Sequence, residues 1–106
     1  MPIAVPKNRP PTTPGEIIHE EFLVPLGMSQ AELGRRMGVP TNRISQLISA
    51  KRSLTAETAL RLEAVLGIDA TTWMNLQAAC DIWEASKAKP ARGLRRLPEL
   101  KKTGSG

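Results

Sequence analysis

The chain has 106 residues, enough for one small domain with a modest core. Hydrophobic residues make up 41% and charged residues 24%, as in an ordinary soluble globular protein, and no apolar run approaches the roughly 18 residues needed to cross a bilayer. Fifteen Lys and Arg against ten Asp and Glu give +5, while a single cysteine and a single histidine exclude an internal disulfide, a thiol zinc site and most catalytic constellations.

Residues 1–13 carry four prolines and no helical periodicity, which predicts a flexible arm. They also lack the apolar stretch of a signal peptide, so export is not expected and the expected location is cytosolic, with no membrane partner. A first helix is predicted from Pro14 with Thr13 as its cap. Glu16, Glu20 and Glu21 point outward, Ile18 and Phe22 lie four apart on the inner face, and Pro25 and Gly27 end the helix. Ser29 caps a second helix, with Glu32 completing an S-x-x-E capping box and Leu33 and Met37 four apart before Gly38. A third spans about Thr41 to Ser49, burying Ile44, Leu47 and Ile48. Thr55 caps a fourth, with Ala59, Leu62 and Leu66 as its apolar stripe and Gly67 as its stop. Asp69 caps a fifth, from about Ala70 to Ser86, along which Trp73, Leu76, Cys80 and Trp83 recur at helical spacing. No strand-like alternation competes, so residues 14–86 are expected to form an all-α domain of five short helices. Residues 87–106 read as a basic, disordered tail interrupted at Pro98.

The positive charge is unevenly placed. Residues 14–86 hold six basic and nine acidic residues, whereas the two flanks together carry +8. A high isoelectric point is thus a property of the tails. Within the acidic body, however, Arg35 to Arg52 contains five basic residues and no acidic one, a local field suited to a polyanion.

That same stretch, SQAELGRRMGVPTNRISQLISAKR from Ser29 to Arg52, has the layout of a helix-turn-helix. Gly38 supplies the turn, Val39 plugs the core between the two helices, and Gly34 lets the following helix approach closely. The third helix then leaves Thr41, Asn42, Arg43, Ser45 and Gln46 outward as base readers in a major groove. Asn42 and Gln46 suit adenine, and Arg43 suits guanine or a phosphate. Ser29, Gln30, Lys51 and Arg52 are the expected backbone contacts. A polar surface helix is ordinary by itself. One that is free of acids and follows directly on such a turn favours DNA reading.

The combination PGEII, EEFLVPLGMSQAELG, MGVPTNRISQLI, KRSLTAETALRL and LGIDATTWMNLQ, followed by Asp81, resembles the HigA-type antitoxins of the lambda-repressor-like (XRE) helix-turn-helix class, also called virulence-associated protein I. The likeness covers roughly residues 14–83. It implies a five-helix lambda-repressor-like DNA-binding domain and a homodimer that represses its own operon at a palindromic operator. It also implies neutralisation of a HigB-type mRNA-cleaving toxin by direct binding. The alternative is a stand-alone repressor of a prophage or mobile element, and a third reading is an RNA-associated adaptor acting through the basic tail.

The remaining chemistry-bearing residues have plainer readings. Trp73 is expected in the core, whereas Cys80 and Trp83, further along the same stripe, are candidates for a dimer contact. His19 reads as solvent-facing, and Cys80 as an inert, partly buried thiol. The residues call for no cofactor, no metal and no catalytic role.

Overall fold

The structure, a computed structural model, describes residues 9–88 and 93–98. All regular elements among the described residues are helical. The first, α1, begins as α-helix over Pro14–Ile17, widens to a π-helix over Ile18–Leu23 and returns to α over Val24–Leu26. It is followed by α2 (Gln30–Met37), α3 (Thr41–Ile48), α4 (Ala56–Leu66) and α5 (Ala70–Lys87). None of these helices is long and apolar enough to cross a membrane. The expected elements on residues 1–8, 89–92 and 99–106 lie outside the described residues, and residues 93–98 are not helical.

Helix starts follow local chemistry. Thr13, Ser29, Thr55 and Asp69 each accept the backbone N–H of the residue three further on, satisfying a donor that the first turn leaves without a partner. At Asp69 the bonds from Thr72 hold the carboxyl below the usual carboxylate range. Two details depart from the sequence expectation. The full capping box is at α1, where the Thr13 N–H also donates to Glu16 Oε1 at 2.9 Å. At α2 only half of it forms, because Glu32 turns to the guanidinium groups of Arg35 and Arg36, the latter at 2.6 Å. A carboxylate gains more from two cations at helical spacing than from one neutral amide.

The second correction concerns α1. Pro25 does not end it; the helix continues through Pro25 to Leu26 and stops at Gly27. In the preceding π segment the Val24 N–H donates to His19 O, five residues back. The widened turns relieve the carbonyl against which a proline ring presses in an ordinary α-helix. They also change the buried face. Ile18 and Leu23, five apart, enter the core, whereas Phe22 packs half-buried at its edge.

The core draws on every helix: Ile18, Leu33, Met37, Val39, Ile44, Leu47, Leu54, Ala59, Leu62 and Trp73 form one cluster. α2 packs on α3, α4 on α5, and α1 lies across both α3 and α5. At the crossing with α3 the backbones nearly touch. A Cβ on Gly15 would sit 2.1 Å from Leu47 O and 2.7 Å from Ile48 Cα, so only a residue without one fits.

After α3 the chain reverses at Ala50, which is the only non-glycine residue with positive φ (61°) among the described residues. The Lys51 N–H closes the turn on Gln46 O at 2.8 Å. An L side chain pays a steric penalty in this left-handed conformation. Ala50→Gly is therefore expected to stabilise the domain by about 1 kcal/mol, measured as a higher denaturant midpoint at unchanged m-value.

Candidate nucleic-acid interface

The turn between α2 and α3 is built from three contacts. Gly38 takes φ +73°, the Val39 N–H bonds Gly34 O at 2.9 Å, and Val39 is buried between the helices. Gly34 is the close approach that the sequence suggested, since a Cβ there would lie 2.9 Å from Val39 O. From the far side, Arg61 Nη1 donates to Met37 O at 2.7 Å, capping the end of α2. Arg61 and Gly15 thus both position the helix pair, yet neither carries a signal in the helix-turn-helix stretch itself.

Ile44 and Leu47 anchor α3 from below, with Ile48 partly buried beside them. The expected base readers do not share one environment. Thr41, Asn42 and Ser45 are exposed and hydrogen-bond no other side chain among the described residues. Gln46 is half-buried, and its Oε1 accepts a bond from Arg52 Nε at 2.9 Å. Arg43 is also half-buried and leans towards α4, where Glu57 Oε1 is 4.0 Å away. Glu57 holds Arg61 as well, so one carboxylate at the start of α4 links a candidate reader to the α2 cap.

The expected backbone contacts flank this helix. Ser29 Oγ accepts the Glu32 N–H at 3.0 Å, which leaves its own O–H available to a phosphate. Gln30 is half-exposed at the first position of α2. Lys51 and Arg52 are exposed and pair with no carboxylate among the described residues. The loop that carries them is tied down by Gln77 of α5, whose Oε1 accepts the Leu54 N–H at 2.8 Å. Folding therefore trims the positive segment. Glu32 takes Arg35 and Arg36, Glu57 draws Arg43, and the unopposed cations are the pair just after α3. No His, Cys, Asp and Glu grouping suited to a metal ion occurs among the described residues.

On α5, Trp73 is fully buried, with its indole Nε1 lacking a hydrogen-bond partner among the described residues. Cys80 and Trp83 lie half-buried along a groove of about 240 Å³ between α5, the proline segment at Pro10 and Pro11, and the end of α3. Cys80 Sγ donates to Thr12 O at 3.6 Å. Burial pushes the Cys80 thiol up, and the nearby carboxylates of Asp81, Glu16 and Glu84 push it further, as expected for an unreactive cysteine. His19 is bonded to its neighbour Glu20 at 3.0 Å and is part-exposed.

Comparison with known proteins adds an independent line. The model of the Helix-turn-helix family matches residues 20–73. Virulence-associated protein I of Dichelobacter nodosus is 41% identical over 90 residues, covering 84% of this chain and 83% of its own. The uncharacterized HTH-type transcriptional regulator YbaQ of Escherichia coli (strain K12) is 46% identical over 77 residues, covering 73% and 68%. Antitoxin HigA-1 of Vibrio cholerae is 41% identical over 77 residues, covering 73% and 72%. Among solved structures, Pseudomonas aeruginosa antitoxin HigA with the higBA promoter superposes with a TM-score of 0.70 at 32% identity, covering 73% of this chain and 84% of that one. Antitoxin GraA in complex with its operator superposes with a TM-score of 0.75 at 30% identity, covering 91% and 100%.

Proposed function

The chain belongs to the helix-turn-helix family, and from that premise we propose that it is a HigA-type antitoxin of a toxin–antitoxin pair. In this reading a homodimer occupies a palindromic operator, represses its own operon, and neutralises a HigB-type mRNA-cleaving toxin by direct binding. The observation that carries it is the outer face of α3. It is a polar row without a carboxylate, held rigidly on an apolar core, in a chain whose relatives include antitoxins solved with promoter or operator DNA.

On DNA, α3 lies in the major groove with Thr41, Asn42, Ser45 and Gln46 at base edges. Arg43 joins them by leaving Glu57, exchanging a long contact for a guanine edge or a phosphate. Ser29, Gln30, Lys51 and Arg52 hold the backbone. One such helix covers few base pairs, so two copies about 34 Å apart on a palindrome supply the selectivity. The dimer contact is assigned to the second half of α5. Cys80 and Trp83 sit there, and Ile82 is 57% exposed. The protein acts by occupancy, and no bond is made or broken.

Two measurements test this. Co-expression with the adjacent gene should give a stable complex and relieve the growth arrest which that gene causes alone; a gel shift of the chain's own promoter should show a specific complex. The stand-alone repressor, favoured by the 46% identity to a protein named as a transcriptional regulator, predicts the gel shift without the complex. At residue level, Gln46→Ala should lose about 1–3 kcal/mol on the specific duplex and almost nothing on random DNA. Lys51→Ala should weaken both alike and reduce the slope of log K against log salt by about 0.9.

A further inference from the structure

We propose that Gln46 and Arg52 form a single reading unit that selects guanine, with Arg52 as a positioning residue for the Gln46 amide; this deepens the DNA-reading proposal and rests on it. The two residues are six apart, which is not a helical spacing. They meet because the chain folds back at Ala50, with φ +61°, and the Lys51 N–H closes on Gln46 O. The reversal brings residue 52 back over the last turn of α3, where Arg52 Nε donates to Gln46 Oε1 at 2.9 Å. Ser49 Oγ, bonded to the same Gln46 carbonyl oxygen at 3.3 Å, adds a second closure to the turn.

A lone glutamine offers a groove one acceptor and one donor side by side, the complement of adenine's N6 amino group and N7. Here the acceptor is engaged by a cation. A base amino group brought to the remaining lone pair of Oε1 would place its positively polarised hydrogens beside the guanidinium. What the pair offers the base is donors, the two N–H bonds of Gln46 Nε2, while the Nη hydrogens of Arg52 remain for the backbone. Guanine is the base with two adjacent acceptors, N7 and O6, and no donor on its major-groove edge. Thymine has a single acceptor, so it can satisfy only part of the unit.

The test is selection from a duplex library with a randomised core. The full-length chain is compared with Arg52→Ala, Arg52→Lys and Gln46→Ala, after checking that thermal midpoints agree. At the position where Gln46→Ala flattens the base preference, the unsubstituted chain should favour guanine over adenine by about tenfold or more. Arg52→Ala should swing that position to adenine, and Arg52→Lys should weaken the guanine preference while keeping the salt slope. The proposal is overturned if the unsubstituted chain favours adenine there, or if Gln46→Ala flattens no position. It is also overturned if Arg52→Ala lowers affinity for all sequences equally and leaves the preference unchanged. No enrichment at all by the unsubstituted chain would overturn the DNA-reading proposal itself.

Discussion

Gly15→Ala is expected to cost about 3 kcal/mol of stability, seen as a fall of roughly 12–24 °C in the thermal midpoint. The added Cβ would lie 2.1 Å from Leu47 O and 2.7 Å from Ile48 Cα. Both are backbone atoms of α3 and cannot swing aside as a side-chain end would. Alanine's better helix propensity returns at most about 1 kcal/mol, too little to reverse the sign. Relief requires α1 to lift from α3, so the helix proposed to read DNA loses part of its support. Operator affinity should fall even at temperatures where the variant remains folded. Circular dichroism melts together with a gel shift at low temperature would check both parts. A midpoint within about 2 °C of the unsubstituted chain would mean that the helices do not cross this closely.

Trp73→Ala should be at least as damaging, at about 3–5 kcal/mol, because a fully buried indole at the centre of the cluster would leave a large cavity. The informative companion is Trp73→Phe. The indole Nε1 is buried without a hydrogen-bond partner among the described residues, and an unsatisfied donor of that kind costs about 1–3 kcal/mol. Phenylalanine removes that cost while keeping most of the ring, so its loss should stay within about 1–2 kcal/mol of zero. Denaturant unfolding of the two variants at equal m-value gives the comparison. A phenylalanine variant as unstable as the alanine one would show that the N–H is satisfied in solution.

The helix starts were legible in the sequence because capping is a short-range transaction. Thr13, Ser29, Thr55 and Asp69 all find their partners three residues away, within one window of the chain. The buried stripe of α3 was legible for a similar reason, since Ile44 and Leu47 follow the helical period. The contacts that set the geometry of the candidate site are of another kind. Gly15 meets Leu47, Arg61 caps Met37, and Gln77 holds Leu54, pairs brought together only once the helices have docked. The environment of each expected reader was illegible on the same grounds. The pull on Arg43 depends on where α4 starts, and the hold on Gln46 depends on the chain reversal at Ala50. Glu32 misled because its choice lay between a neutral amide and two cations, and pattern alone assigns it the amide.

The π segment of α1 has an implication for chain length. Ile18 and Leu23 share the buried face only because the segment between them is wound wide enough to hold a supernumerary residue. Deleting one exposed position there, Glu20 or Glu21, would put the same two side chains four apart, the repeat of an ordinary helix. The interior would keep its facing pair, but Pro25 would then press on a carbonyl of standard pitch. The insertion and the imino acid are therefore mutually accommodating, and a chain that dropped one would gain by dropping the other.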